Sequence, residues 1–293
     1  MMRVTTLYAA SSAATARYYT QYLADAPGEQ AGRWLGHQAP GLGLTGDVSA
    51  AALEALLSGF ESTTLQPLGN VLTDRITRNG TVVRAVAGFD ATLSAPKSLS
   101  VWWALTGDEG LAECHDVAVA AVADYLERFG STTRVRSNGG RLHLDSHGLT
   151  MAAFRQTTPR LDDPQLHTHL VISAKVQTVD GRWLALDARV LKQHQRAFGG
   201  LYQSVLRAEL THRYGVAFAG IVHGQAEIRR RAERAARRVL EARPPGRRSA
   251  RRQGHRLPPT RRPVAVTLRA RRPGTRARGR HPPTQDGTNA VRH

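Results

Sequence analysis

Two histidines separated by a single residue, His167 and His169, lie in a stretch of alternating apolar and polar residues that predicts a β-strand. Residues two apart on a strand point to the same face, so we expect the two imidazoles side by side on one face of a sheet. Such a pair is suited to bind a divalent metal ion. For an isolated His-x-His sequence, two ordinary surface histidines are the commoner interpretation, so the surrounding residues must decide between the two.

The strand predicted before these histidines adds a third candidate ligand. Residues 160–163 predict a turn between the two strands. With the turn centred in this interval, Gln156 lies opposite His167, and Phe154 lies opposite His169. The amide oxygen of Gln156 can then reach the same ion, so we predict a metal site formed by Gln156, His167 and His169.

Two further clusters carry reactive groups. Tyr18 and Tyr19 are adjacent, and Tyr22 follows Tyr18 by about one helical turn. Aromatic clusters of this kind usually belong to a core, and catalysis is the less common alternative. Asp90 lies in an otherwise apolar strand, and Lys97 follows it in the first turn of a predicted helix. An acid and a lysine in this arrangement favour an active site, with a solvated lysine as the ordinary alternative.

The elements that position these groups indicate an α+β fold. Strands outnumber helices in the middle of the chain and are joined by hairpin turns, which predicts an antiparallel β-sheet with helices packed on it. Helices are expected at residues 14–23, 49–58, 97–105, 111–129 and 197–214. Strands are expected at residues 82–95, 132–136, 141–145, 149–157, 165–177 and 182–186.

The excess of basic charge is confined to the C-terminal part of the chain. The net charge of the whole chain is +18, whereas residues 1–228 carry equal numbers of acidic and basic side chains. Residues 229–293 contain 21 arginines, no lysine, three acidic residues and eight of the 14 prolines, so this tail is predicted to be disordered. Two interpretations stay open with equal weight: an arm that binds nucleic acid, or the translation of a shifted frame in a GC-rich gene.

The composition also excludes several classes of protein. Cys114 is the only cysteine, which excludes a disulfide framework and a cysteine-based zinc site. No apolar run approaches the roughly 20 residues of a membrane span, and the first residues lack the sustained apolar segment of a secretory signal. We therefore expect a cytoplasmic protein that has no membrane partner.

Several stretches together resemble the relaxase domain of the TrwC/TraI-type conjugative relaxases, the MobF family. They are Tyr18-Tyr19, WLGHQAPGLGLTG at residues 34–46, GFDATLSAPKSLS at 88–100, DPQLHTHLVIS at 163–173 and VDGRWLALD at 179–187. The resemblance covers nearly all of residues 4–220, and the DPQLHTH sequence is its most specific part. It implies that residues 1–228 form a relaxase domain with the palm-like α+β fold of the HUH endonucleases, truncated relative to the family.

The resemblance also implies a function. Relaxases of this family nick one DNA strand at a transfer origin during conjugative plasmid transfer, through a tyrosine that forms a 5′-phosphotyrosyl link with the help of a divalent metal ion. The roles carried over are those of the nucleophile with its neighbour (Tyr18, Tyr19), the acid that orients or deprotonates it (Asp90) and the metal ligands (Gln156, His167, His169). Because Gln156 offers an amide oxygen, the implied cofactor is Mg²⁺ or Mn²⁺. The implied partners are single-stranded DNA at a transfer origin and other relaxosome proteins.

The chain departs from the family pattern in three respects. Gln156 stands where the family has a third histidine, only Tyr22 stands near the place of a second tyrosine pair, and family-like sequence ends near Glu227 without a Walker A phosphate loop. These departures leave two alternatives beside an active relaxase. One is a truncated or frameshifted, inactive remnant that binds DNA through its basic tail, and the other is a metal-dependent nuclease that uses water instead of tyrosine.

Overall fold

The computed structural model describes residues 2–22, 30–137, 140–156 and 163–229. The chain divides into two compact units, Met1–Pro244 and Pro245–His293, and all described residues belong to the first. The prediction of a disordered tail at residues 229–293 lies outside the described residues, apart from Arg229. None of the described helices combines the length and the apolar character needed to cross a bilayer.

A five-stranded antiparallel sheet forms the centre of the fold. In spatial order its strands are β1 (Met2–Tyr8), β5 (Val86–Ser94), β9 (His167–Ser173), β8 (Met151–Gln156) and β2 (Arg33–Leu35). Most residues of β5 and β9 are buried, because these two strands lie inside the sheet and both of its faces are covered. Residues of β5, β9 and β8 that stand opposite one another therefore share a face whose composition is set by the register.

Two long helices pack on one face of the sheet. They are α4 (Glu109–Gly130) and α6 (Gln195–Tyr214), and their apolar residues join those of β5 and β9 in the larger core. The side chain of Asp108 accepts a hydrogen bond from the N–H of Gly110 at 3.0 Å and caps α4. Gly215 ends α6 with a φ of +64°, a conformation that favours glycine.

Two shorter helices and their neighbours cover the other face. Helix α1 (Ser12–Arg17) and helix α2 (Ala50–Ser58) place apolar side chains in a second core that includes Phe154 of β8 and Val171 of β9. The expected N-cap of α2 is present, since Ser49 accepts a hydrogen bond from the N–H of Ala52 at 3.2 Å. Tyr18–Tyr22 continue directly from α1 as one turn of π-helix.

The remaining elements are two-stranded ribbons and short helices at the periphery. The ribbons pair β3 (Arg75–Ile76) with β4 (Val82–Val83), β6 (Thr132–Ser137) with β7 (Gly140–Asp145), and β10 (Lys175–Gln177) with β11 (Trp183–Ala185). The helices are α3 (Lys97–Thr106), which follows β5, and α5 (Arg189–Gln193), which precedes α6.

The predicted α+β fold is confirmed, and two long predicted strands are each divided. The strand expected at 82–95 becomes β4 and β5, because the N–H of Ala85 donates to Asp74 at 2.8 Å and leaves the ladder there. The strand expected at 165–177 becomes β9 and β10. The chain leaves the main sheet at Ala174 and then pairs with β11.

A buried histidine connects α4, α6 and β9 beneath the sheet. His115 is fully buried, its Nδ1 lies 2.6 Å from the hydroxyl of Tyr202, and its Nε2 lies 2.8 Å from Oγ1 of Thr168. Burial, followed by the positive charge of Arg155, lowers the pKa of His115 to about 3. The ring is therefore neutral at physiological pH and joins two hydroxyl groups in the core.

This histidine makes the stability of the fold depend on pH. An unfolded histidine has a pKa near ~6.5, so the unfolded chain binds a proton that the folded chain excludes. The contribution is complete above about pH 6.5 and declines by about 1.4 kcal/mol per pH unit below it, towards the folded pKa. Compared with the wild type, His115→Gln should lose stability at pH 7 but depend less on pH between 6.5 and 4. Urea unfolding at several pH values measures this difference, with the exposed His212→Gln as the control. Equal pH slopes in the wild type and His115→Gln would contradict it.

Candidate functional site

The strand register brings the candidate groups to one face of the sheet. Gln156 pairs with His167, and Phe154 pairs with His169, as the sequence predicts. On the other side of β9, Thr92 of β5 pairs with His169. Side chains directly opposite each other in an antiparallel pair point to the same face, so the two histidines and the amide share a face with the residues of β5 at even positions, including Asp90.

Both histidines have their Nδ1 atoms engaged. Nδ1 of His167 lies 2.7 Å from the backbone oxygen of Gln165, and Nδ1 of His169 lies 2.8 Å from Oδ2 of Asp90. With these acceptors Nδ1 carries the proton, and a neutral ring then has its lone pair on Nε2. This is the tautomer with which a histidine binds a metal through Nε2, and its carboxylate or carbonyl partner fixes the orientation of the ring. The ring centroids are 5.1 Å apart.

Gln156 supplies the third polar group. Its side chain is buried, and its Nε2 has no hydrogen-bond partner among the described residues. A rotation of the amide by 180° exchanges Nε2 with Oε1, and in that orientation an oxygen ligand takes the unpartnered position. No three His, Cys, Asp or Glu side chains form a metal-binding group in the part of the chain that the structure describes. A metal site formed by this face therefore has to include the amide, and the donor set of two imidazoles and one amide oxygen fits a divalent ion.

Asp90 joins a tyrosine to one of the histidines. Its Oδ2 accepts hydrogen bonds from the hydroxyl of Tyr19 at 2.7 Å and from Nδ1 of His169 at 2.8 Å. Thr92 donates to Oδ1 of the same carboxylate at 3.3 Å. Burial, followed by the negative charge of Asp90, raises the pKa of Tyr19 far above its usual value. Tyr19 is therefore held as a neutral hydrogen-bond donor.

The two adjacent tyrosines have different environments. Tyr19 is 4% exposed and stacks on Phe154 with a centroid distance of 5.1 Å, whereas Tyr18 is 36% exposed. The ring of Tyr18 meets that of Tyr19 edge-on, with centroids 5.2 Å apart. The π-helical turn places Tyr19 over the sheet and leaves Tyr18 accessible beside it. The side chain of Tyr22 lies outside the described residues.

Lys97 stabilises the segment that leads into β9. Its Nζ donates to the backbone oxygen of Pro164 at 2.8 Å and pairs with the carboxylate of Asp163. The carboxylate of Glu227 caps the same end of α3 by accepting the N–H of Ser98 at 2.8 Å. Lys97 thus fixes the entry to the His-x-His strand, a contact between distant segments that its position in the sequence does not reveal.

The comparisons with known proteins follow from this fold and this site. The chain belongs to the TrwC relaxase family, whose model matches residues 3–274. The resemblance inferred from the motifs is therefore confirmed. The match passes the predicted domain boundary at residue 228 and includes much of the arginine-rich segment, and the boundary itself stays a prediction.

Two curated relatives are the multifunctional conjugation proteins TraI of Escherichia coli and of Escherichia coli strain K12. The first is 35% identical over 210 residues, and the second is 34% identical over 223 residues. These alignments cover 67% and 72% of this chain but only 11% and 12% of the relatives. The chain thus spans about one ninth of the length of the curated relatives that it matches.

Solved structures with the same fold include the conjugative relaxase TrwC with its DNA. A metal-bound complex of TrwC with oriT DNA is 28% identical to this chain, with a TM-score of 0.68 and coverage of 82% of this chain and 81% of that one. A complex of TrwC with a 27-mer DNA that comprises the recognition hairpin and the cleavage site is 27% identical, with a TM-score of 0.66 and coverage of 82% and 80%.

Proposed function

We propose that this chain is a conjugative DNA relaxase that cleaves one strand at a transfer origin through Tyr18. The observation that carries the proposal is a single sheet face on which two correctly protonated histidines, a buried amide and an acid lie next to a tyrosine pair. The TrwC structures with oriT DNA support the same substrate class for this family member. This reaction would take place in the cytoplasm, where a DNA substrate is available.

Tyr18 is the proposed nucleophile because its side chain is accessible to DNA. Its hydroxyl oxygen attacks the scissile phosphorus, the bond between phosphorus and the 3′-oxygen breaks, and the leaving 3′-oxygen takes up a proton. The product is a 5′-phosphotyrosyl link that retains the energy of the phosphodiester for religation. A free tyrosine has a pKa near ~10, so about one in a thousand is ionised at pH 7, and the site must offset about 4 kcal/mol. A nearby base and a cation can provide this.

A divalent metal ion is part of the proposal. Gln156, His167 and His169 would hold it, and Asp90 fixes the ring of His169 through Nδ1. When bound, the ion supplies Lewis-acid polarisation of the phosphate oxygens. Because one of the three ligands is an amide oxygen, we propose Mg²⁺ or Mn²⁺. Asp90 accepts the hydroxyl proton of Tyr19 in a hydrogen bond and is the acid or base group nearest to the tyrosine pair among the described contacts.

The proposed activity is tested by a covalent-complex assay. The whole chain is incubated with a labelled single-stranded origin oligonucleotide and Mn²⁺, with and without EDTA, and is resolved on a denaturing gel. We expect a labelled band at the mass of the protein plus the 5′-terminated product, and its loss with EDTA. Cleavage that leaves no attached protein would support a nuclease that uses water, and DNA binding without any cleavage would support an inactive remnant.

The proposed partners are single-stranded origin DNA and other relaxosome proteins, and the arginine-rich tail contributes binding without sequence preference. Deleting residues 230–293 should weaken binding to any single strand at low salt, because each phosphate neutralised contributes about 0.7 to the log–log salt slope. The preference for an origin over a scrambled sequence should persist, since phosphate contacts carry no sequence information. Titrations at several salt concentrations measure both quantities. Loss of the preference with unchanged general affinity would assign recognition to the tail.

A further inference from the structure

Tyr19 occupies a position that suits a support for the metal site better than a nucleophile. Its side chain is almost fully buried, and its ring lies flat against Phe154, which blocks one face of the ring. Its hydroxyl donates to Oδ2 of Asp90 at 2.7 Å, and the ring centroid lies 5.4 Å from that of His169. A phosphate cannot reach this oxygen unless both the burial and the hydrogen bond are given up.

The same carboxylate oxygen receives the proton of His169. Oδ2 of Asp90 is thus shared by two donors, one from the π-helical turn and one from β9. A carboxylate free to rotate could present either oxygen to the imidazole, whereas the hydroxyl of Tyr19 and that of Thr92 hold Oδ2 and Oδ1 in place. A ligand histidine depends on such a partner for its tautomer and ring orientation.

We propose that Tyr19 is a positioning residue, which holds Asp90 so that the carboxylate keeps His169 protonated on Nδ1 and aims Nε2 at the metal. The inference rests on the proposed function in assigning His169 to a metal site. It assigns different tasks to the two adjacent tyrosines: Tyr18 reacts with DNA, and Tyr19 acts through Asp90 and His169. Tyr19 therefore need not be ionised or exposed at any stage of the reaction.

The variants Tyr19→Phe and Tyr18→Phe form a matched pair for the test. Each removes one hydroxyl and keeps an aromatic ring, so the stacking on Phe154 is retained in Tyr19→Phe. The first measurement uses the metal-free chain: nitrogen chemical shifts of the histidine rings report the tautomer of His169. We expect the Nδ1–H form in the wild type and in Tyr18→Phe, and a mixture of tautomers in Tyr19→Phe. This measurement needs neither metal nor DNA, so it stands even if the proposed function fails.

The second measurement is the affinity for Mn²⁺ in the absence of DNA. Changes in the partners of metal ligands typically cost about 10- to 100-fold in affinity, so we expect a loss of this size in Tyr19→Phe and no change in Tyr18→Phe. Asp90→Asn should cause a similar loss, and adding Tyr19→Phe to it should cost little more, because both changes act on one interaction. At saturating Mn²⁺, Tyr19→Phe should still form the covalent complex.

Three outcomes would overturn the inference. Wild-type tautomer and wild-type Mn²⁺ affinity in Tyr19→Phe would show that the hydroxyl does not position His169. Additive losses in the double variant would place the effect of Tyr19 outside the contact with Asp90. Loss of the covalent complex in Tyr19→Phe at saturating Mn²⁺, with its near-ultraviolet circular dichroism unchanged, would make Tyr19 a reacting group. A wild-type chain that binds no Mn²⁺ but shows the expected tautomer change would count against the proposed metal site and not against the positioning role.

Discussion

Replacing Tyr18 with Phe should reduce the covalent protein–DNA complex to background. The variant loses the only oxygen that the proposed reaction joins to phosphorus, so no compensation by the metal or by Asp90 is possible. Tyr18 is accessible and meets Tyr19 through its ring edge, which Phe preserves. We therefore expect the fold, the Mn²⁺ affinity and the binding of uncleaved origin DNA to remain at wild-type levels.

A second tyrosine provides the control for this result. Tyr125 on α4 is 45% exposed, and Tyr125→Phe should form the complex as the wild type does. Quantitative gel analysis of the labelled complex, at equal protein and DNA concentrations, compares the three proteins. An undiminished complex in Tyr18→Phe would transfer the nucleophilic role to Tyr19 or Tyr22 and would remove the basis for assigning different tasks to the tyrosine pair.

Replacing Gln156 with His should change which metals the chain binds. A third imidazole favours Ni²⁺, Zn²⁺ and Cu²⁺ over Mg²⁺, which prefers oxygen ligands. A direct ligand should matter at least as much as the partner of a ligand, so we expect Ni²⁺ affinity to rise by about 10- to 100-fold or more. The register places residue 156 opposite His167, so the new ring has the position required. Isothermal titration with Ni²⁺ and with Mn²⁺ measures the change.

The control for this prediction is Gln156→Ala. It removes the amide without adding a ligand, and we expect weaker binding of both Mn²⁺ and Ni²⁺. If Gln156→His and Gln156→Ala bind Ni²⁺ equally, residue 156 does not contribute to the ion, and the three-ligand site is wrong. Restored thermal stability without a change in metal preference would assign Gln156 a purely structural role in the buried face.

The register of the candidate metal site was accessible from the sequence because strands obey a strict two-residue period. Once a turn was placed between β8 and β9, the opposition of Gln156 to His167 followed, and the structure has it. The identity of the facing groups on β5 was also within reach, since Asp90 stands out as an acid in an apolar strand. Local patterns fix which face a residue occupies, and that was enough to collect the polar groups.

The contacts made by distant segments were beyond the same reasoning. The helix expected at 14–23 becomes a π-helical turn from Tyr18, and this turn decides which tyrosine meets Asp90. A helical period gives no indication of such a change, because it arises from packing against Phe154. The division of the strand expected at 165–177 likewise depends on the partner strand β11, which competes for residues beyond Ala174.

The central claim is a covalent link between DNA and Tyr18, and peptide mapping of the complex tests it most directly. The wild-type chain is reacted with single-stranded origin DNA and Mn²⁺, treated with nuclease to leave one nucleotide on the protein, and digested with trypsin. Cleavage after Arg17 makes Tyr18 the first residue of the peptide at 18–33, so fragment ions separate it from Tyr19 and Tyr22. The account predicts one nucleotide monophosphate on Tyr18 that requires both DNA and Mn²⁺. A nucleotide on Tyr19 or Tyr22, or cleaved DNA with every tyrosine unmodified, would contradict it.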